Sequence, residues 1–202
     1  MESKYKSKVK QVTYGFLIDG TKKEDIDNFK KQLVEAHSIN FKQDKGIIEI
    51  IAFDKIKHEL KASSIKVIAI GHGYDNGKIN EDYTIIDVVK AVAKELKDCA
   101  SKVSEFRLQV CHQAKMATTV DEDGKEKLKP DLVAAIKDYK AENVLFCCPR
   151  KFSYIKGGSY IDTNAESKED YNKKSQSNDL KIGKEYSLKK DVVTSKEKGR
   201  SV

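Results

Sequence analysis

The feature that most constrains this chain is the run Ile65–Ile70, IKVIAI, interrupted only by Lys66. A strand that is apolar at both alternations has to be covered on both faces, which is the position of a central strand in a parallel sheet. A parallel neighbour then requires a crossover, usually a helix. That crossover is legible. Thr84, with Asp87 three residues on, opens an amphipathic segment over 85–98 in which Ile85, Val88, Val89, Val92 and Leu96 form one stripe. A second strand follows, with Phe106, Leu108 and Val110 alternating with Arg107 and Gln109, so it is half buried.

The rest of the chain repeats this alternation. Val12–Ile18 (VTYGFLI) reads as a first strand, closed by the turn signal Asp19-Gly20. Thr21 and Glu24 form a capping box for a helix to about Ala36, with Ile26, Phe29, Leu33 and Val34 on one side. Ile47–Phe53 is a second strand, and Ile56 and Leu60 suggest a short helix over 54–62. A Gly/Asn-rich loop, 71–80, and a charged loop, 118–129, follow the two strands described above. Pro130 suits the first turn of a helix carrying Leu132, Val133 and Ile136, and Val144–Cys148 is a fifth strand ended by Pro149. Strands and helices in this order predict an α/β fold: a three-layer sandwich around a mostly parallel sheet of at least five strands. Residues 1–155 are read as that domain. Residues 156–202 are Lys-rich and poor in large apolar residues, with short apolar beats at Tyr160-Ile161, Leu180–Ile182 and Tyr186–Leu188, and read as a flap or flexible tail.

Charge narrows the function classes. The net charge is +7, but the cations are Lys almost throughout, with Arg only at 107, 150 and 200. Without Arg forks or a basic stripe interleaved with aromatics, nucleic-acid reading is a minor hypothesis. An anionic ligand or an acidic partner remains open. The cysteines at 99, 111, 147 and 148 contain no C-x-x-C pair, which excludes a zinc ribbon or thioredoxin-like motif on spacing and suits free thiols in a reducing compartment. The N-terminal MESKYKSKVK has no apolar core, and no segment approaches 18 apolar residues. The expectation is a soluble protein without membrane insertion, cytoplasmic or exported without an N-terminal signal peptide.

Two strands stop on reactive side chains, His72 in Gly-His-Gly and Cys111 in Gln-Val-Cys-His. In open α/β sheets ligands bind outside the carboxyl ends of parallel strands. A thiol and an imidazole delivered there are a nucleophile and its base, with the backbone N–H groups of Gly73 and Cys111 as candidate oxyanion donors. Each residue alone has an ordinary explanation, a buried small hydrophobe for the cysteine and a satisfied loop residue for the histidine. Adjacency of the two strands makes the pair more specific. His112 is a rival base, while His37 and His58 fall on helical surface or loop positions. Gly71, Gly73 and Gly77 narrowly miss a dinucleotide fingerprint, and neither a phosphate-binding P-loop nor a G-x-S-x-G elbow is present.

A hydrophobic strand ending in His-Gly, then a helix, then a strand ending in Cys, resembles the caspase-like cysteine peptidases. These include caspases, metacaspases, clostripain-like enzymes and the self-processing protease domains of bacterial toxins. Caspases carry Gln-Ala-Cys-(Arg/Gln/Gly)-Gly with the His about 50 residues upstream; here the interval is 111 − 72 = 39. Gln109 stands two before the Cys as in caspases, His112 follows it as in metacaspases, and FCCPRKFSY (146–154) is similar to the fifth-strand exit that helps form the caspase substrate groove. The resemblance covers about residues 10–155. It implies a caspase-like fold and a cysteine endopeptidase in which Cys111 attacks a peptide carbonyl and His72 serves as base. It further implies a substrate groove that includes Asp19, Gln109, Ser153 and Tyr154. Val110 and the lack of a Gly at 113 depart from the nucleophile turn of these families. Asp19 stands where caspases place an Arg, which argues against an acidic residue before the scissile bond and for a basic one. In the toxin domains inositol hexakisphosphate binds a basic surface; Lys151 and Lys156 would be its counterparts here, against the plainer reading of solvated charges. No other cofactor or metal is expected. The alternative is a catalytically silent caspase-like domain serving as a protein-binding or scaffold module. A different α/β hydrolase or nucleotide-binding protein is a third reading, for which the expected loops are missing.

Overall fold

The computed structural model describes residues 11–18, 27–28, 31, 48–51, 64–74, 76–156, 159–182 and 191–194. Four parallel strands form the centre of its main sheet: β1 (Gln11–Ile18), β3 (Ser64–Ile70), β4 (Val103–Gln109) and β7 (Asn143–Cys147). Two antiparallel strands flank them, β2 (Ile48–Ile51) on β1 and β10 (Asp191–Thr194) on β7. The order across the sheet is β10-β7-β4-β3-β1-β2. The chain is therefore α/β with a four-stranded parallel core. Its continuous apolar strand, β3, lies between β1 and β4, and Ile65 and Val67–Ile70 are all buried.

The crossover from β3 to β4 is α1 (Ile85–Leu96), and its buried residues are the five of the sequence stripe. The helix starts where it does because both halves of the capping box form. The Asp87 N–H donates to Thr84 Oγ1 at 3.2 Å, and the Thr84 N–H donates to the Asp87 carboxylate at 2.8 Å. The Thr84 hydroxyl also donates to that carboxylate at 2.7 Å, and with the Thr84 N–H it holds the Asp87 carboxyl below its ordinary value. Pro130 opens α3 (Pro130–Lys137), the crossover from β4 to β7; the one-turn α2 (Ala114–Ala117) precedes it. Phe106 on β4 stacks on Phe146 of β7 with centroids 5.7 Å apart, and meets Tyr139 edge-on at 6.2 Å. The Tyr139 hydroxyl donates to the Val89 carbonyl at 2.8 Å, tying the end of α3 to α1. Burying a side chain of this size is worth about 1.5–3 kcal/mol, so this face anchors the register of β4.

By alternation the other face of β4 carries Glu105, Arg107 and Gln109. Glu105 pairs with Lys66 of β3 at 2.9 Å and lies 3.8 Å from Arg107. The polar face therefore leads along β4 to Cys111, two residues beyond its end.

The structure departs from the sequence reading in places. The charged loop 118–129 is a hairpin of β5 (Thr118–Val120) and β6 (Glu126–Leu128), closed by the Asp121 carboxylate, which accepts from the N–H groups of Asp123 and Lys125. Three-residue strands are too short to show a period. The region after Pro149 forms a second hairpin, β8 (Ser153–Lys156) with β9 (Ser159–Asp162), followed by α4 (Lys168–Gln176). α4 has no apolar stripe and no buried residue, hence no periodic signal. Ser167 caps it, and the pairs Glu169–Lys173 and Asp170–Lys174 brace it at 2.9 and 2.8 Å. Residues 191–194, in the region read as flap or tail, form an edge strand of the main sheet. Asp19, the helix expected over 54–62 and most of the one expected up to Ala36 lie outside the described residues; residues 27–28 and 31 are helical.

Candidate active site

The strand ends of β3 and β4 present neighbouring loops, because Ile70 and Gln109 are register partners at the carboxyl edge of the sheet. His72 lies two residues beyond the first and Cys111 two beyond the second. The loops touch closely. A Cβ built on Gly73 would stand 1.9 Å from the Cys111 carbonyl oxygen, and one on Gly77 would stand 2.4 Å from Met116 Sδ. Only glycine allows the His72 loop to lie this near the cysteine turn.

The His72 loop is a miniature hairpin. Tyr74 and Lys78 are joined by a main-chain bond of 3.0 Å, the Gly77 N–H closes the turn onto Tyr74 at 2.9 Å, and Asn80 donates its N–H to the His72 carbonyl at 2.9 Å. Gly77 is at φ +81 and Asn80 at φ +48, left-handed positions that Gly and Asn tolerate best. Among the described residues no main-chain carbonyl accepts from the Gly73 or Cys111 N–H, and the Cys111 N–H lies toward its own sulfur.

The cysteine turn hangs from the segment after β7. The Ala114 N–H donates to Pro149 at 3.1 Å and the His112 N–H to Lys151 at 3.5 Å. His112 takes φ +61 and its imidazole Nδ1 lies 3.9 Å from the Glu166 carboxylate, near it but beyond hydrogen-bond distance. Lys151 pairs with the same Glu166.

The partner of the Cys111 thiol is the carbonyl of Ser153, at 3.7 Å. Burial pushes the thiol above its ordinary value and the Asp162 charge adds to it, while the donor groups of Ser153, its N–H and hydroxyl, oppose it. In this arrangement the sulfur is a neutral thiol at physiological pH. Ser153 also accepts from Gln109 Nε2 on its Oγ at 2.8 Å, so two of the residues named from the sequence meet beside Cys111. Tyr154, the next residue on β8, turns to the other side of the hairpin and meets the Tyr171 hydroxyl at 3.2 Å, within an aromatic group completed by Phe152. Lys156's side chain is outside the described residues.

The chain was compared with known proteins. It matches no family model, no curated sequence and no solved structure.

Four residues at the site carry no sequence signal of their own. Asp162 is the register partner of Ser153 and shares its side of the hairpin. It is buried, and burial raises its carboxyl more than the Arg107 charge lowers it. Its Oδ1 has no hydrogen-bond partner among the described residues, nor do Oε1 of Gln109 and of Gln113. Gln113 is fully buried and its Nε2 reaches the Cys111 carbonyl at 3.4 Å. Asn80 grips the His72 backbone and Glu166 lies near His112. Among the described residues no group of His, Cys, Asp and Glu is arranged to hold a metal ion, and no helix is long and apolar enough to cross a membrane.

Proposed function

We propose that this chain is a caspase-like cysteine endopeptidase, with Cys111 as nucleophile and His72 as base. The observation that carries the reading is the contact of the Gly73 backbone with the Cys111 carbonyl, which sets the two loops side by side at one strand-end crevice. The chemistry follows from a neutral thiol. As sulfur attacks the peptide carbonyl the thiol proton passes to the His72 imidazole, while the N–H groups of Gly73 and Cys111 receive the developing oxyanion. The imidazolium returns the proton to the departing amine. Water, deprotonated by the same imidazole, then hydrolyses the thioester. Gln109 and Ser153 line the approach to the sulfur. Attack requires the thiol to leave its bond with the Ser153 carbonyl, which a substrate strand in the groove would displace.

A second reading is favoured by one observation, the half-buried thiol bonded to a main-chain carbonyl. In that reading the domain is silent and serves as a binding module. Alkylation of native protein with iodoacetamide, read at each cysteine by mass spectrometry, decides between them when wild type, Cys111→Ser and His72→Ala are also scored on a quenched peptide library. Cleavage lost in both variants, with Cys111 labelling slowed by His72→Ala, is expected. No cleavage in any form, with Cys111 labelling indifferent to His72, would establish the silent module. Inositol hexakisphosphate is the probe for an anionic activator at the Lys151 surface; a faster Cys111 reaction in its presence is the signature.

A further inference from the structure

His72 is useful only if something fixes its loop, and the sheet does not. β3 ends at Ile70, and His72 lies beyond the last ladder pair between Ile70 and Gln109. We infer that Asn80 is the positioning residue for His72, an inference that rests on the dyad proposed above.

Three hydrogen bonds carry it. The Asn80 main-chain N–H donates to the His72 carbonyl at 2.9 Å, and the His72 N–H donates to Asn80 Oδ1 at 2.8 Å. Asn80 Nδ2 then donates to the Ile18 carbonyl, at the end of β1, at 2.9 Å. In a regular antiparallel pair both exchanges between opposed residues use the main chain. Here the left-handed φ of +48 at Asn80 turns its carbonyl out of the pair, and the side-chain amide oxygen takes its place. The same amide reaches across to β1. His72 is thereby held at both its N–H and its C=O and tied to a strand of the rigid core. Asn80 is 6% exposed, so water does not compete for these bonds.

The residue type is dictated by the three tasks. Left-handed φ favours Gly, Asn or Asp. Acceptance from His72 admits Asn and Asp, and donation to Ile18 leaves Asn alone. The donors also fix the amide orientation, since Oδ1 has to face an N–H and Nδ2 a carbonyl.

Iodoacetamide reaction at Cys111 near neutral pH tests this, in wild type, Asn80→Gly, Asn80→Asp, His72→Ala and the double variant Asn80→Gly/His72→Ala. Glycine keeps the left-handed backbone and removes only the side-chain clamp. The expected result is a loss in Asn80→Gly of about 100-fold, the usual consequence of displacing a reacting group by about 1 Å. The double variant should be no slower than His72→Ala, because a residue that acts through His72 has nothing left to lose. Asn80→Asp keeps the acceptor for His72 and should fall between wild type and Asn80→Gly; thermal unfolding of each variant confirms that the fold persists. Asn80→Gly reacting like wild type while His72→Ala is slow overturns the positioning role and leaves the dyad standing. So does a further loss in the double variant, or Asn80→Asp as slow as Asn80→Gly. His72→Ala reacting like wild type overturns the dyad, and the role of Asn80 with it.

Discussion

Gly73→Ala probes the contact on which the site depends. Gly73 is not among the positive-φ residues, so the substitution adds no backbone strain and its effect is steric. The added Cβ would lie 1.9 Å from the Cys111 carbonyl oxygen, 2.8 Å from its carbon and 3.0 Å from Val110 Cγ1. Real Cβ contacts stay beyond 3.0 Å, so the two loops have to part by at least 1.1 Å, and the opposing atoms are main chain. Overpacking of this kind costs about 1–3 kcal/mol. Loss of glycine's freedom in the unfolded chain returns about 0.4–1 kcal/mol. The net expectation is destabilisation of about 1–2 kcal/mol, a fall in Tm of roughly 2–4 °C for each kcal/mol in a chain of this length. Gly71→Ala is the internal comparison. Its Cβ meets only side-chain atoms, at 3.1, 3.2 and 3.3 Å, so crowding and entropy nearly cancel. Urea unfolding of the two variants, at unchanged m-value, measures the difference. If Gly73→Ala proves as stable as Gly71→Ala, and its Cys111 reacts like that of the wild type, the loops do not meet as described and the case for a shared crevice falls.

Other predictions follow from single groups. Burial raises the Asp162 carboxyl above its ordinary value, so between the two values the native state holds more protons than the unfolded chain, and stability falls as pH rises through that window. Asp162→Asn should therefore stabilise the protein at neutral pH, with the gain shrinking in acid; an equal gain at all pH values in denaturant titrations would refute the buried charge. The same substitution removes a charge that raises the Cys111 thiol, and should speed its alkylation. Thr84→Ala removes the hydroxyl that accepts from the Asp87 N–H and donates to the Asp87 carboxylate, leaving the Thr84 N–H bond in place, and should cost about 1 kcal/mol by urea unfolding. Tyr139→Phe removes one of two bonds to the Val89 carbonyl, which keeps its helical partner, and should cost about 0.5–1.5 kcal/mol in the same assay.

Much of the fold was legible because it is locally encoded. Ile65–Ile70 is a central strand for the reason its composition gives, and Thr84-x-x-Asp87 starts α1 with the bonds the motif foretells. The stripe of Ile85, Val88, Val89, Val92 and Leu96 is the buried face. By contrast, β5 and β6 are too short to carry a period, and α4 is held by a cap and ion pairs that leave no apolar pattern. Neither element carries the hydrophobic periodicity by which strands and helices show in a sequence.

The sequence determined, by itself, which residues end the two strands: His72 after β3 and Cys111 after β4. Strand ends are written in local polarity, so a reader of the chain finds them without knowing any contact. The tertiary structure decided what those ends meet. It set Gly73 against the Cys111 carbonyl, bonded the thiol to Ser153, buried Asp162 beside them and made Asn80 the clamp on His72. Each of these joins segments that only packing brings together, up to 62 residues apart for Asn80 and Ile18. Spacing along a chain records periodicity and caps; the desolvation that raises a thiol and the approach that demands a glycine depend on what the folded chain lays on top of them.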